Sequence, residues 1–567
     1  MAAYFFAEPT RIVLFAQSRL LSKRHLTREN SMTNISADYV VVGAGSAGCV
    51  LASRLSEDGS KVVLLEAGPP DRHPMIHIPA GLGHLIMHPK LNWNYASEPE
   101  QTSGNRALMW PRGKVLGGSN SINGMLFVRG NAADFDSWSQ MGCNGWGYDD
   151  VLPYFKKMES YSGGEDAYRG RGGLLPVVDY DTILPATHLF VEAAQEAGFP
   201  LNRDYNGRTQ DGVAYSQMNR RGRFRAATAS TYLAKARRRA NLRIETEANA
   251  TRLLMSGKKC VGVAYHQNGV VKEVRASREV IVTSGAIGSP HLLQVSGIGP
   301  AAHLQSVGIE VVHDLPGVGD NLSDHYVVRI VHHVKNLITI NELQRGLRKV
   351  REVIRFLATG RGALTFGVTS AQVYCDSREG LASPDLQLLF TPASYVIGKF
   401  LKFEDHPGVL AAVCPTRPAS RGTILARSAD PSAYPAIRPN YLSDPDDVRV
   451  MTAGFKHTRR IFGTAAFARH NVSETQPGPD VNTDDEIEHF ARTMGSSLYH
   501  PVGTCKMGTD PQAVVDPRLK VVGIDGLRVI DASVMPYTTT GNTNAPTIMI
   551  AEKGAAMVKE DARLSAR

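Results

Sequence analysis

Cysteine is scarce and scattered in this 567-residue chain. No C-x-x-C pair occurs among the six cysteines, which argues against a zinc site and against a disulfide framework. We therefore predict no bound metal, free thiols and a reducing, cytoplasmic location. The six residues are Cys49, Cys143, Cys260, Cys375, Cys414 and Cys505.

Long apolar runs and long basic runs are also missing. A membrane-spanning helix needs roughly 18 uninterrupted apolar residues, and no segment has them. The net charge of +9 is spread along the chain, without the basic tract that is typical of nucleic-acid binders. We expect neither a transmembrane segment nor a nucleic-acid partner. Residues 1–35 are interpreted as a basic N-terminal extension, either a targeting segment or a stretch before the true start at Met32, and peripheral contact with the inner membrane stays open.

Glycine, in contrast, is abundant, and its arrangement near the N-terminus is informative. The β-branched run DYVVV (38–42) predicts a buried strand, and GAGSAG (43–48) follows it directly. A helical stretch extends to about residue 57, and KVVLLEAG (61–68) predicts a second buried strand. This order is a βαβ unit.

The first strand leads into G-x-G-x-x-G, formed by Gly43, Gly45 and Gly48. The first glycine permits a tight turn, the second lets a pyrophosphate approach the backbone, and the third lets helix and strand pack closely. Glu66 ends the second strand 23 residues after Gly43, where a carboxylate can accept hydrogen bonds from ribose. The pattern indicates a dinucleotide site that includes Ser46, Ala47 and Ala67, and it leaves FAD and NAD as alternatives.

Several further segments together resemble the glucose–methanol–choline (GMC) oxidoreductase family. They are GKVLGGSNSINGMLFVRG (113–130), SGAIGSPHLLQVSGIG (284–299), LPGVGDNLSDH (315–325), YHPVGTCKMG (499–508) and LRVIDASVMPYTTTGNTNAPTIMIAEK (527–553). The resemblance extends from residue 38 to about residue 558, and it is greatest to the choline-dehydrogenase-like group of bacterial primary-alcohol dehydrogenases.

The resemblance implies an α/β fold in which a Rossmann-like FAD-binding domain is interleaved with a substrate-binding domain. The second domain is expected to have α+β character, with an antiparallel sheet and helices. The FAD-binding domain would comprise residues 36–160, 215–325 and 496–562. The substrate-binding domain would comprise residues 161–214 and 326–495.

The resemblance also implies FAD as the cofactor. Beyond the glycine turn and Glu66, the residues implied to line it are Gly117, Gly118, Ser119, Asn123, Gly124, Ala250, Asp531, Ala532 and Asn542. Ile122 stands where some family members carry a histidine that is bonded covalently to the flavin, so we predict noncovalent FAD. Asn120 replaces a usually small residue, which indicates altered local contacts.

For catalysis, the resemblance assigns the base to His500 in YHPVGT, because a neutral imidazole can take the alcohol proton while the flavin takes the hydride. Asn544 matches the second catalytic position, with an N-cap role as its alternative and Asn542 as the competing residue. The helix that follows is predicted from about Pro546 to Lys559. Asp324 and His325 are interpreted as a structural loop contact.

The predicted function is FAD-dependent oxidation of a small primary alcohol to its aldehyde. The alternatives are a lyase of the same family that cleaves a cyanohydrin-type substrate without net redox, an NAD-dependent dehydrogenase and a non-catalytic flavin protein. Oxygen, a quinone and another carrier all stay open as the electron acceptor.

Overall fold

The structure, a computed structural model that describes residues 35–396 and 402–565, is built around two seven-stranded β-sheets. The strands of the first sheet are β1 (Ile35–Val42), β2 (Val62–Leu65), β12 (Leu242–Glu245), β13 (Ala248–Ser256), β14 (Lys259–Gln267), β15 (Val270–Val282) and β26 (Leu527–Val529). Their order is β12-β2-β1-β15-β14-β13, and β26 pairs with β15.

The centre of this sheet is parallel and buried on both faces. Strand β1 pairs in parallel with β2 and β15, and β12 pairs in parallel with β2. Val40 and Val41 are fully buried, which explains why the run is uniformly apolar instead of alternating. Helix α1 (Ser46–Leu55) connects β1 to β2, so the predicted βαβ unit is confirmed.

The second sheet is antiparallel. Its strands are β8 (Gly212–Tyr215), β18 (Tyr326–Val334), β19 (Ala371–Cys375), β20 (Leu386–Thr391), β21 (Gly408–Pro415), β24 (Asn471–Gln476) and β25 (Ser496–Ser497). The order is β24-β18-β21-β20-β19-β8, with β25 paired to the start of β18. Strands β19, β20 and β21 consist entirely of buried residues.

The remaining elements are helices and short strand pairs that cover and connect the two sheets. The other helices are α2 (Pro74–His77), α3 (Leu82–Leu85), α4 (Ala132–Gln140), α5 (Tyr148–Met158), α6 (Pro185–Glu196), α7 (Thr228–Ala236), α8 (Gly285–Val295), α9 (Ala301–Ser306), α10 (Ile340–Leu343), α11 (Gly346–Thr359), α12 (Pro445–Phe462), α13 (Ala465–Ala468), α14 (Asp484–Met494) and α15 (Asn544–Ser565). The short pairs are β3 (Tyr95–Ala96) with β4 (Met109–Trp110), β5 (Glu159–Ser160) with β6 (Leu175–Pro176), β7 (Val178–Asp179) with β9 (Gln217–Met218), β10 (Arg220–Arg221) with β11 (Phe224–Arg225), β16 (Ile298–Gly299) with β17 (His313–Asp314), and β22 (Thr423–Leu425) with β23 (Ala436–Arg438).

The predicted fold class is confirmed, because a Rossmann-like parallel sheet and an antiparallel sheet with helices are both present. The domain boundaries stay a prediction, and the predicted extension lies almost wholly outside the described residues. Helix α15 begins two residues before, and ends six residues after, the predicted limits of that helix. No helix in the described ranges is long and apolar enough to cross a bilayer.

Candidate active site

One cavity of about 1010 Å³ reaches from the carboxyl ends of β1 and β2 to residues of the second sheet. The predicted site residues that line it are Gly43, Gly45, Ser46, Ala47, Glu66, Ala67, Gly118, Ser119, Asn123, Gly124, Ala250, His500, Asp531, Ala532, Asn542 and Asn544. The two others, Gly48 and Gly117, lie behind its wall. The structure therefore brings both ends of the predicted site into one space.

The glycine turn shows three different uses of a missing side chain. Gly43 has φ of +103°, which a residue with a β-carbon rarely adopts. A β-carbon on Gly48 would lie 1.8 Å from the carbonyl oxygen of Gly43, so the helix can approach the strand only with glycine there. A β-carbon on Gly45 would meet no atom within 4 Å, because it would point into open space.

Helix α1 begins at this turn without a side-chain cap. Ser46 and Ala47, its first two residues, line the cavity. The first N–H groups of a helix have no partner within the helix, and the helix dipole makes this end positive. The turn is therefore suited to hold a pyrophosphate.

Glu66 organises the backbone beside the turn. One carboxylate oxygen accepts the Ala44 N–H at 2.9 Å, and the other accepts the Gly68 N–H at 2.8 Å. Burial raises the pKa of Glu66 to about 7, although both backbone bonds favour the charged form. Each oxygen keeps a second acceptor position, which suits ribose hydroxyls.

The segment that carries Gly117 and Gly118 packs against the glycine turn. Gly117 donates its N–H to the Ala44 carbonyl at 2.7 Å. A β-carbon on Gly118 would lie 2.7 Å from the Cα of Gly45. Both glycines also have positive φ. Gly117 thus supports the turn from behind, while Gly118 forms part of the cavity wall.

Two unusual residues in this segment have different environments. Ile122 lines the cavity and is 4% exposed, and its side chain has no atom that could bond covalently to a flavin. Asn120 is buried away from the cavity, and its side-chain oxygen accepts the N–H of Thr228 at the start of α7 at 2.7 Å. The departure at Asn120 therefore serves a helix start, not a cofactor contact.

Asp531 closes the opposite side of the dinucleotide region. Its carboxylate accepts the Gly285 N–H at the start of α8 at 2.8 Å and the Ser289 hydroxyl at 2.5 Å. It also accepts the N–H and the hydroxyl of Ser533. Burial raises the pKa of Asp531. With these donors, the carboxylate fixes the backbone around Ala532, which lines the cavity.

Helix α15 presents its N-terminus to the same cavity, beside the N-terminus of α1. Asn544 is its first residue, and its side-chain oxygen accepts the Ser46 hydroxyl at 2.7 Å. This bond joins the first residues of two helices. In the described structure the Asn544 side chain thus contacts α1, and it is Asn542 that contacts His500.

His500 lies in a chain of side-chain hydrogen bonds. Its Nδ1 is 2.9 Å from Nδ1 of His325, and its Nε2 is 3.0 Å from the amide nitrogen of Asn542. On the far side, Nε2 of His325 is 2.9 Å from the carbonyl oxygen of Thr416.

The hydrogen-bond partners assign the tautomers of both rings. A carbonyl oxygen only accepts, so His325 donates from Nε2 to Thr416, and its Nδ1 is left as an acceptor. His500 must then donate from Nδ1, and its Nε2 carries the lone pair. The Asn542 amide donates to that lone pair. The chain therefore presents an unprotonated ring nitrogen at the cavity.

Asp324 holds the backbone of the base. Its carboxylate accepts the His500 N–H at 2.6 Å and the Ser497 hydroxyl at 2.6 Å, and it also accepts the Tyr441 hydroxyl. Tyr499, which precedes the base, has φ of +68°, a strained conformation for a residue with a side chain. The Asp324 cluster thus stabilises an unusual backbone that aims His500.

The surroundings favour the neutral form of the base. Removal of the ring from water lowers the pKa of His500 well below its usual value, and His325 and the Arg112 guanidinium lower it further. Burial likewise lowers the pKa of His325 to about 4. Both rings are therefore neutral at physiological pH.

The interpretation of Asp324 and His325 as a mere loop contact was incomplete. Asp324 holds the main chain of His500, and His325 contacts its ring. His325 and His500 are 175 residues apart, so no local spacing relates them. The one signal in the sequence is that Asp324 and His325 lie directly before strand β18.

The cavity fits a dinucleotide cofactor. Open space above Gly45, the uncapped start of α1 and the acidic end of β2 lie where a pyrophosphate and a ribose would be held. The cavity then continues to His500 and Asn542, which leaves room for a redox group next to the base. Within the described ranges, no group of three or more His, Cys, Asp or Glu residues could hold a metal ion.

Comparison with known proteins supports the same interpretation. Family models described as GMC oxidoreductase match residues 37–327 and 418–551. The pyridoxine 4-oxidase of Mesorbium loti has a similar structure, with a TM-score of 0.85 and 29% identity over 92% of this chain and 99% of that one.

Two curated relatives are similar over most of their length. An oxygen-dependent choline dehydrogenase from Brucella ovis is 44% identical over 92% of this chain and 95% of the relative. An alcohol dehydrogenase [acceptor] from Pseudomonas putida is 43% identical over the same shares. The resemblance inferred from the motifs is thereby confirmed, and so is noncovalent FAD as the cofactor. The chain belongs to the glucose–methanol–choline oxidoreductase family of FAD enzymes, which act on CH–OH donors.

Proposed function

We propose that this enzyme oxidises a primary alcohol to the aldehyde, with His500 as the base that takes the hydroxyl proton. The observation that supports this most directly is the hydrogen-bond chain from Thr416 through His325 to His500, because it leaves the lone pair of Nε2 facing the cavity. When bound, FAD supplies the acceptor for the hydride that leaves the alcohol carbon.

His500 performs the proton step. An alcohol that binds here takes the place of the Asn542 amide at Nε2, and its hydroxyl can then pass its proton to the Nε2 lone pair. The imidazolium that forms keeps its Nδ1–H bond to His325, so the ring does not rotate as it becomes charged. A neutral base with a low pKa is ready to accept at physiological pH without first losing a proton.

Asn542 provides the second contact to the alcohol oxygen. Its amide nitrogen lies 3.0 Å from Nε2 of His500, so the base and the amide converge on one small volume. As the proton leaves, negative charge develops on the oxygen, and an amide donor stabilises it. We therefore assign the second catalytic position to Asn542, and to Asn544 the link between α1 and α15.

The charge of the cavity wall supports an uncharged or anionic alcohol in preference to a quaternary ammonium alcohol. Among the described lining residues, only Glu66 and Asp531 are acidic, and backbone or hydroxyl donors bind both. Arg112 and Arg329 line the cavity. The positive charge of Arg112 lowers the pKa of His500, and that of Arg329 acts to lower the pKa of Tyr499. A fixed cation on the substrate would be repelled by these guanidinium groups.

The proton and hydride steps are tested together by anaerobic flavin reduction. We expect primary alcohols to bleach the visible absorbance of the holoenzyme, and His500→Ala to slow this by roughly 10²–10⁴-fold while FAD stays bound. The matched control is His266→Ala on an exposed position of β14, which should behave as wild type. Turnover of a substrate with the flavin still oxidised would instead indicate lyase chemistry, and admission of oxygen would then show whether oxygen reoxidises the flavin.

Substrate charge is tested with two alcohols of equal shape. Choline and 3,3-dimethylbutan-1-ol differ only in a quaternary nitrogen that is replaced by carbon. We expect kcat/KM for the neutral alcohol to exceed that for choline by at least about tenfold, because the guanidinium groups repel the quaternary nitrogen. A tenfold difference corresponds to about 1.4 kcal/mol. Equal or higher efficiency with choline would overturn the assignment of substrate charge and leave the role of His500 intact.

A cytoplasmic location is part of the proposal. All six cysteines are buried and unpaired in the described structure, which suits a reducing compartment. The location is measured by fractionating the producing cells and detecting the enzyme in each fraction through its flavin.

A further inference from the structure

Helix α11 (Gly346–Thr359) buries few of its side chains against the described part of the protein. Only Glu352 and Phe356 of its 14 residues are buried. The other large apolar side chains are instead exposed: Leu347 88%, Val350 54%, Val353 37%, Ile354 60% and Leu357 63%. A surface helix of a globular protein normally turns its apolar stripe inward, and this one turns it outward.

The exposed apolar side chains form one continuous face. Leu347, Val350, Ile354 and Leu357 follow one another at intervals of four and three residues, the spacing that places residues on one side of a helix. The buried Glu352 and Phe356 lie on the opposite side. The apolar face therefore points away from the part of the protein that the structure describes.

Basic side chains flank this face. The segment 345–361 contains six basic residues and a single acidic one, the buried Glu352. The basic residues are Arg345, Arg348, Lys349, Arg351, Arg355 and Arg361. An outward apolar face with basic flanks is the arrangement of a helix that lies in the headgroup region of a membrane.

The helix is held firmly by its ends and by its inner face. Arg345 donates to the carbonyl oxygens of Glu404 and Asp405 at the N-terminal end, and Arg223 donates to the Leu357 carbonyl at 2.7 Å near the C-terminal end. Between them, the Glu352 carboxylate accepts the Ala363 N–H at 2.9 Å. The exposed face thus belongs to a fixed element of the fold.

We propose that α11 docks this enzyme on the surface of an anionic phospholipid bilayer. The apolar side chains would enter the boundary between headgroups and acyl chains. Arg345, Arg348 and Arg355 pair with carboxylates of the protein. Lys349 and Arg351, which form no ion pair among the described residues, would reach the lipid phosphates. This proposal goes beyond the alcohol oxidation proposed above and does not depend on it.

A second copy of the chain fits the same face less well. In a two-fold symmetric contact each α11 would meet the α11 of the other copy, so basic flanks would lie against basic flanks. Like charges at such distances repel, whereas anionic headgroups neutralise them.

The docking has a consequence for access to the cavity. Tyr395 and Val396 line the cavity, and Tyr395 pairs with Phe403, next to the Glu404–Asp405 segment that Arg345 holds. Val368 and Thr369 also line it, shortly after Ala363, which Glu352 holds. Two segments bonded to α11 thus continue into the cavity wall, and this side would face lipid-soluble alcohols or a lipid-soluble electron acceptor.

The test is co-sedimentation of the full-length holoenzyme with vesicles of phosphatidylcholine, with and without phosphatidylglycerol. We expect binding to the anionic vesicles, and a decrease when salt shortens the Debye length from about 30 Å at 0.01 M to about 8 Å at 0.15 M. Ile354→Glu with Leu357→Glu should lower the partition coefficient by at least about tenfold, because apolar burial is lost and negative charge is added facing anionic lipid. Lys349→Glu with Arg351→Glu should lower it on anionic vesicles.

A matched control separates this face from general stickiness. Val270 and Val271 are exposed by 50% and 55% in β15, so Val270→Glu with Val271→Glu adds the same charges elsewhere and should leave binding unchanged. All variants share residues 1–34, so differences between them belong to the substituted positions. Flavin content and turnover with a soluble dye acceptor should match wild type, which verifies the fold.

Three results would overturn the proposal. They are absence of wild-type binding to either vesicle type, equal binding of the Ile354→Glu, Leu357→Glu variant, and a wild-type dimer that this variant converts to monomer without any vesicle binding. None of these results would affect the assignment of His500.

Discussion

The glycine turn and the base are the two ends of one cavity, and they are assembled in different ways. At the glycine turn, consecutive residues from Gly43 to Gly48 present backbone N–H groups, and the missing side chains create the space. At the base, side chains converge from distant positions: His325 and His500 are 175 residues apart, and His500 and Asn542 are 42 apart. The first end depends on local geometry, and the second depends on the correct docking of separate segments.

This difference predicts how the two ends fail. A fault at the glycine turn should remove the cofactor. A fault near His500 should leave a coloured protein that reacts slowly. A substitution in the glycine turn that leaves FAD bound but slows the reaction would contradict this comparison, and so would a substitution near His500 that removes FAD.

The largest effect is expected at Gly48. A β-carbon there would lie 1.8 Å from the Gly43 carbonyl oxygen, so Gly48→Ala should force α1 from β1, lower the melting temperature and abolish FAD retention. Gly45→Ala is the matched control, since its β-carbon meets no protein atom within 4 Å. It should change apoprotein stability by at most about 1 kcal/mol and still weaken FAD binding. Equal melting temperatures and FAD affinities for the two variants would contradict the assigned roles.

The next effect distinguishes the two asparagines. Asn542→Ala should lower kcat by about 10- to 100-fold, since a hydrogen bond to a charged group contributes about 1.5–3 kcal/mol, and FAD should stay bound. Asn544→Ala removes the acceptor of the Ser46 hydroxyl and should cost about 1 kcal/mol of stability with kcat nearly unchanged. Stopped-flow flavin reduction and thermal unfolding measure the two quantities. The reverse pattern would return the catalytic assignment to Asn544.

The smallest effect concerns pH. His500 acts as a base only when neutral, so kcat/KM should rise with pH through its pKa and then stay level. Because that pKa is well below its usual value of 6.5, the rising limb should lie on the acid side of 6.5. His325→Ala should move this limb toward 6.5 and lower kcat/KM by about tenfold, because one cause of the low pKa and the partner of Nδ1 are both lost.

A conservative variant separates positioning from packing. The amide of His325→Gln can donate to the Thr416 carbonyl and accept from His500, so it should restore much of the rate that the alanine variant loses. If the rising part of the kcat/KM profile lies at the same pH in wild type and in both variants, His325 does not set the pKa of His500.

Much of the nucleotide end was predictable, because its chemistry is encoded by neighbouring residues. The run 38–42, the glycine turn and Glu66 indicated a strand, a helix start and a second strand end, and the structure has them in that order. The fold class and the cofactor followed from the motifs that resemble the family, and both are confirmed.

The base end was predictable only in part. The motif around His500 indicated a base, but the roles of His325 and Thr416 depend on the pairing of β25 with β18 and on the end of β21. The choice between Asn542 and Asn544 depends on where α15 begins, and a helix start is uncertain by one or two residues even in a known structure. The outward direction of the apolar face of α11 could not be predicted, because the sequence does not show which side of the helix packs against its neighbours.

The bond between Ser46 and Asn544 joins positions 498 residues apart. Arg54 in α1 and Glu552 in α15 form an ion pair over the same sequence separation, with 2.7 Å between Nη2 of Arg54 and Oε1 of Glu552. Because synthesis runs from the N-terminus, the first βαβ unit leaves the ribosome long before its partner helix exists. Flavin capture should therefore be a late event in biosynthesis, and chains that stop short of α15 should emerge colourless however well their N-terminal half has folded.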